Sequence, residues 1–188
     1  GPLDVSVRCS RPAIAHKVRE TIALHDVPWV PSRQVTIEAT ACATDDKSVA
    51  GGDYLRCARM NVDTTPTGLA ASTLSGAHAI GELGPSDHWR FEIPLDVDGR
   101  PPVDVEDLTQ LAMTTGWRRA GWVPMHVATI VRDAVCALVC APSGGGKSTF
   151  VASALRRGWR TLGDDKVLLG ITAEGPVAQG LVHTFNLH

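Results

Sequence analysis

Apolar and polar residues alternate in three stretches of the first hundred positions: Val35–Ala41, Tyr54–Met60 and Trp89–Ile93. A period of two is the mark of a strand with one buried face, and the Gly, Pro, Asp and Ser clusters between these stretches supply turns. Ala13–Leu24 departs from that rhythm. Ile14, Val18 and Ile22 recur at every fourth position, which predicts one helix, and Pro12, Pro28 and Pro31 confine it. No internal repeat is present in this part of the chain.

The pattern changes after Gly99-Arg-Pro-Pro-Val103. Consecutive prolines cannot continue a regular element, so this stretch marks the expected boundary between a smaller β-rich region over 3–102, for acceptor recognition or purely structural, and a domain over 103–188. A helix should open the second domain. Asp104 is suited to cap it, Leu108, Leu111, Ala112 and Thr115 fall at i, i+3, i+4 and i+7, and Gly116 stands where it should end. Two apolar runs of strand length follow, Met125–Val131 and Ala134–Cys140, joined by a turn at Arg132-Asp133 that implies a hairpin.

Composition narrows the class. With 188 residues, 44% apolar and 20% charged, the chain can bury the core of one large domain or two small ones. Eighteen Lys and Arg against 20 Asp and Glu leave a net charge of −2, so there is no broad basic footprint for nucleic acid or anionic lipid, and phosphate binding must be local. Neither nucleic acid nor membrane is an expected partner. The five cysteines (Cys9, Cys42, Cys57, Cys136, Cys140) are odd in number and lack a CxxC spacing, which argues against a disulfide framework and a zinc ribbon. Cys136 and Cys140 share a strand face and read as core packing, and Trp117, Trp122 and Trp159 as core or lid residues. No run approaches the ~20 apolar residues of a membrane span, and no signal peptide opens the chain, so a cytoplasmic setting is expected. Gly1-Pro2, without an initiator Met, read as the remnant of a cleaved tag.

The second apolar run leads into Ala141-Pro-Ser-Gly-Gly-Gly-Lys-Ser-Thr149, a phosphate loop of the form AxxxxGKST between a strand and a helix-compatible run ending at Gly158. Alanine replaces the usual first glycine. Gly144, Gly145 and Gly146 let successive N–H groups turn inward around a polyphosphate, with Ser143 completing the cradle. Lys147 brings a positive charge to the β- and γ-phosphates. Ser148 offers a hydroxyl to Mg²⁺, and Thr149 is the second hydroxyl at a helix N-terminus whose dipole favours the bound anion.

Sixteen residues past Ser148 stands Asp164 in Thr161-Leu-Gly-Asp-Asp-Lys-Val-Leu-Leu169. One carboxylate at a strand end can hold Mg²⁺, and a second beside it can accept the proton of an attacking hydroxyl. Asp is also a common turn former, so an Asp-Asp hairpin turn is the plain alternative. Arg156, Arg157 and Arg160 suit the C-terminal end of the preceding helix.

From Met125 to Leu169 the sequence resembles the HPr kinase/phosphorylase family and the wider group of HPr-kinase-like serine kinases. The resemblance rests on an ordered set: Met125-His126 opening a strand, a turn, an apolar strand, the loop at 141–148, a helix ending Arg156-Arg-Gly-Trp-Arg160, and Gly163-Asp-Asp165 a few residues on. It implies an α/β P-loop domain with a mixed sheet, ATP and Mg²⁺ as cofactors, and transfer of γ-phosphate to a serine of a protein or peptide. Ser143 to Thr149 would bind the nucleotide. Either Asp164 or Asp165 would be the base and the other a metal ligand, Asp165 joining Ser148 on the metal in the primary assignment. His126 would stand close to the carboxylates and orient the acceptor or tune the base. The group includes tailoring kinases of ribosomally made peptides such as lasso peptides, which makes a precursor peptide one expected acceptor.

Only 23 residues follow Asp165, fewer than the additional acidic, arginine and acceptor-binding positions of the family require. The expectation is therefore a C-terminally truncated chain or a reduced member. Two other readings stay open: a non-catalytic nucleotide- or peptide-binding module with a retained loop, and a fragment of an ABC-type ATPase, against which the missing LSGGQ-like signature and the early Asp-Asp both weigh. A homo-oligomer is compatible with each.

Overall fold

The computed structural model describes residues 2–23, 32–42, 55–57, 60–142 and 144–181. These form an α/β chain of two compact units, one holding Pro2–Ala23 and 32–116, the other 117–181.

The first unit is built on a seven-stranded mixed sheet. Its strands are β1 (Leu3–Cys9), β2 (Arg33–Cys42), β3 (Leu55–Cys57), β4 (Met60–Thr65), β5 (Gly68–Thr73), β6 (His78–Leu83) and β7 (Asp87–Pro94), in the order β1-β2-β7-β6-β5-β4-β3. β1, β2 and β7 are parallel neighbours, and β7 through β3 pair antiparallel. Helix α1 (Pro12–Ala23) makes the crossover between the parallel strands β1 and β2. Alternation decides which face is buried. Val35, Ile37 and Ala39 of β2 lie in register beside Asp87, Trp89 and Phe91 of β7, and the apolar members of both sets are sealed from solvent. Each large side chain so buried contributes about 1.5–3 kcal/mol. Gly81 pairs with Trp89, where a Cβ would meet the indole at 2.8 Å, so the ring lies across the neighbouring strand.

Ile14 and Val18 of α1 and Leu108 and Ala112 of α2 (Val105–Arg119) are fully buried, and Lys17 joins the helices through Glu106. The opposite sheet face carries the exposed pairs Arg8–Glu38 and Arg90–Glu82. At one end of the sheet the Arg33 guanidinium grips the fully buried Asp87 with two hydrogen bonds, 2.8 and 2.7 Å, and also reaches Gly84 O. The bond to Asp87 holds Arg33 still further above its ordinary pKa, with burial opposing.

The second unit has β8 (Val123–Met125), β9 (Ala128–Arg132), β10 (Val135–Val139), α3 (Lys147–Leu155), β11 (Val167–Thr172) and β12 (Gly175–Gly180). β9 and β10 form a hairpin, and β12-β11-β8 a three-stranded antiparallel sheet. Ala128 and Ile130 of β9 pack with Val151 and Ala154 of α3, flanked by Ala137, Val139 and Trp159. Among the described residues no helix is long and apolar enough to cross a membrane.

Several expectations change here. The mixed sheet lies in the first unit, while the described strands of the second pair only antiparallel. The cause is topological: after α3 the chain runs in the direction of β10 but lies against β9, one strand away, through the Val131–Arg160 bridge. The proline stretch at Gly99–Val103 connects β7 to α2 within the first unit, which extends to Gly116 and is the larger of the two. Gly116 does not end α2. It lies where a Cβ would meet Val35 and Leu3 at 2.9–3.0 Å, and so lets the helix approach the sheet closely. The helix runs instead to Arg119 and is closed by Gly121, whose φ of 83° allows Trp122 N–H to bond Trp117 O and Gly121 N–H to bond Arg118 O. Asp104 precedes α2 as expected, but its carboxylate accepts from Ser75 N–H (3.1 Å) and Ser75 Oγ (2.6 Å). Cys136 and Cys140 are exposed, because the alternate residues Ala137 and Val139 are the ones packed toward α3. The hairpin turn is Asp133-Ala134, with Asp133 at φ 54°.

Candidate phosphate-loop and carboxylate site

The hairpin register determines where the chemistry gathers. Val139 pairs with Ala128, so the chain leaves β10 for the loop at the level where β9 begins, two residues after His126. On the other edge of β9, Arg160 bonds Val131 in both directions (2.7 and 2.9 Å) and Thr129 N–H donates to Gly163 O at 2.9 Å. That edge therefore carries the returning chain to the same end. Asp164 and Asp165 follow, and Asp165 Oδ1 lies 2.7 Å from His126 Nε2. Both side chains are open to solvent, 63% for His126 and 42% for Asp165. The glycine-rich loop after β10, the histidine and the acid pair thus share one end of the hairpin.

Within the loop, Gly144 (φ 74°) and Gly146 (φ 80°) occupy the left-handed region, and at Gly145 a Cβ would stand 2.9 Å from both Ala141 Cβ and Pro142 O. The backbone demands glycine at all three positions. Ser143, also expected in this cradle, lies outside the described residues. Lys147 begins α3 and is buried, its Nζ donating to Ala141 O (2.8 Å) and Pro142 O (3.3 Å). The ammonium is thereby held at the loop mouth. Ser148 and Thr149 are exposed in the first turn of α3, and Gly146 caps the helix without a side chain, so the first-turn N–H groups have no side-chain cap. That is the arrangement an anion exploits.

The end of α3 repeats the device seen at α2. Gly158 (φ 80°) donates to Leu155 O at 3.0 Å and Trp159 N–H to Ala154 O at 3.1 Å, turning Trp159 back onto the core. Arg132 stacks over its ring at 5.7 Å. Arg160 and Arg132 therefore mark the end of β9 away from the carboxylates.

Two residues to which the sequence assigned no role prove central to this geometry. Thr129 is fully buried in β9, and its hydroxyl and that of Thr161 bond the backbone at 162–163. A Thr among the apolar residues of Met125–Val131 is ordinary in composition; its only signal is a hydroxyl at a position facing the core. Comparison of the chain with protein-family models, curated proteins and solved structures finds no match.

Proposed function

We propose that this protein is an ATP- and Mg²⁺-dependent serine kinase of the HPr-kinase-like type, acting on a protein or peptide. The observation that carries the reading is the gathering of the Gly144–Lys147 loop and the His126–Asp165 pair at one end of the β9–β10 hairpin. On this reading the loop N–H groups bind the phosphates of the nucleotide and Lys147 exchanges its loop carbonyls for phosphate oxygens. The acceptor serine Oγ attacks the γ-phosphorus in line, the bond to the leaving nucleoside diphosphate breaks, and the serine proton passes to a carboxylate of the Asp164–Asp165 pair. His126, bonded to Asp165, orients the Asp165 side chain, the member of the pair that would join Ser148 on the metal while Asp164 takes the proton.

The donor set fits Mg²⁺. Among the described residues no three His, Cys, Asp or Glu side chains form a metal-binding group, and Mg²⁺ is ordinarily held by one or two protein oxygens together with substrate phosphates. Ser148 and Asp165 would hold it, and when bound it neutralises charge developing on the transferred group.

The test is transfer of labelled γ-phosphate to serine-containing peptides, alongside calorimetric nucleotide titration with and without Mg²⁺. Lys147→Ala should weaken nucleotide binding about 10- to 100-fold, the range for a hydrogen-bonded charge, and abolish transfer. Transfer that is unchanged in Lys147→Ala overturns the proposal. Nucleotide binding without any transfer by the unaltered protein identifies a binding module instead.

A further inference from the structure

Asp164 and Asp165 are carried by a segment that belongs to no strand, so something other than a β-ladder must hold it. Thr129 Oγ1 accepts from Leu162 N–H (3.0 Å) and Gly163 N–H (3.2 Å) and lies 3.1 Å from Gly163 O. Thr161 Oγ1 donates to Thr129 O at 2.7 Å and accepts from Gly163 N–H at 3.1 Å. Together they form a clasp on three successive residues, and the chain leaves it one residue before the acid pair. Thr129 has no solvent access, so a side chain of the same shape without the hydroxyl would leave Leu162 N–H without its acceptor and Gly163 N–H with Thr161 Oγ1 alone. The clasp adds to the one backbone bond at this point, Thr129 N–H to Gly163 O at 2.9 Å, where the returning chain turns from β9 toward Asp165 and His126.

We propose that Thr129, assisted by Thr161, is a positioning residue: it fixes the backbone at Gly163 and thereby presents Asp165 to His126. Its catalytic consequence rests on the kinase reading above, whereas its structural part does not. Thr129 touches neither nucleotide nor acceptor in this scheme. A loosened clasp therefore slows the chemical step and leaves nucleotide binding by the 141–149 loop intact.

The experiment compares Thr129→Val, Thr129→Ser and Thr161→Val by three measurements: amide hydrogen exchange at Leu162 and Gly163, the NMR resonances of Asp165 and His126, and the kinetics of γ-phosphate transfer. Thr129→Val should lose exchange protection at Leu162 and weaken it at Gly163, which keeps Thr161 Oγ1, shift the Asp165 and His126 resonances, and lower kcat about 10- to 100-fold with the nucleotide KM unchanged. Thr129→Ser, which keeps the hydroxyl, should restore all three. Wild-type kcat in Thr129→Val, or protection retained at Leu162 and Gly163, overturns the proposal. Where Thr129→Val does not fold by circular dichroism, Thr161→Val is read in the same way, and wild-type exchange and kcat in that variant overturn it. If the unaltered protein transfers no phosphate, the kinase reading fails by itself. The clasp is then decided by exchange and resonances alone, protection lost in Thr129→Val and regained in Thr129→Ser supporting it and any other result overturning it.

Discussion

The two units bury their sheets in different ways. In the first, seven strands share one ladder whose apolar face meets two helices, and Trp89, Phe91, Ile93, Ile37 and Leu108 are all withdrawn from water. In the second, the described strands come as a pair and a triple, one nine-residue helix packs on the hairpin, and β10 leaves Val135 and Leu138 exposed. The second unit nevertheless carries every residue assigned to phosphate or proton chemistry. Regular pairing consumes backbone donors and directs side chains alternately up and down a sheet. The loop after β10 and the return before β11 are where that pairing stops, and there N–H groups and carboxylates are available to a ligand.

Three substitutions test this contrast. Asp87→Ala strips Arg33 of its buried counter-charge and should destabilise the protein by about 3–5 kcal/mol in urea titration, since a charge left unpaired away from water is costly. A loss below about 1 kcal/mol, the scale of an exposed pair, would show that the grip contributes no more than Arg8–Glu38 does. Gly81→Val drives two methyl groups into the Trp89 ring and should cost about 1–3 kcal/mol in the same measurement, with phosphate transfer unchanged where the variant is folded. Gly158→Ala forces a Cβ into the left-handed region and should cost about 1–2 kcal/mol. Although milder for stability, it should reduce transfer more than Gly81→Val does, because the return toward Asp164 begins there. Equal transfer rates in the two folded variants would break the assignment of chemistry to the second unit.

The parts of the molecule legible in the sequence are those governed by local rules. The strands around Val35–Ala41 and Trp89–Ile93 stand where alternation puts them, and α1 follows its four-residue spacing, with Thr21 rather than Ile22 completing the buried stripe. The stretch at 54–60 resolves into β3 and the start of β4, with Tyr54, Ala58 and Arg59 outside the described residues. β5 and β6 escape the reading because Gly68-Leu-Ala-Ala-Ser-Thr73 and His78-Ala-Ile-Gly-Glu-Leu83 are rich in small residues of weak strand preference, and only pairing with β4 and β7 makes them strands. At the site, the loop glycines are readable because backbone torsion dictates them. His126 and Asp165 stand 39 positions apart and meet at 2.7 Å only through the fold. The Thr129–Thr161 clasp is not readable, since it joins residues 32 positions apart through a fold that neither specifies alone.

The Gly158 turn also bears on the sequence interval between loop and acid pair. Nine residues of α3 at ~1.5 Å each carry the chain ~13 Å from the loop. The four residues 160–163, extended at ~3.3 Å each, carry it about the same distance back along β9. Outward and inward journeys cancel, so Asp164 arrives level with its starting point after one helix and one short return. The interval is thus a matched pair of lengths in two different pitches: a residue inserted into the helical leg displaces the end point less than half as far as one inserted into the extended leg.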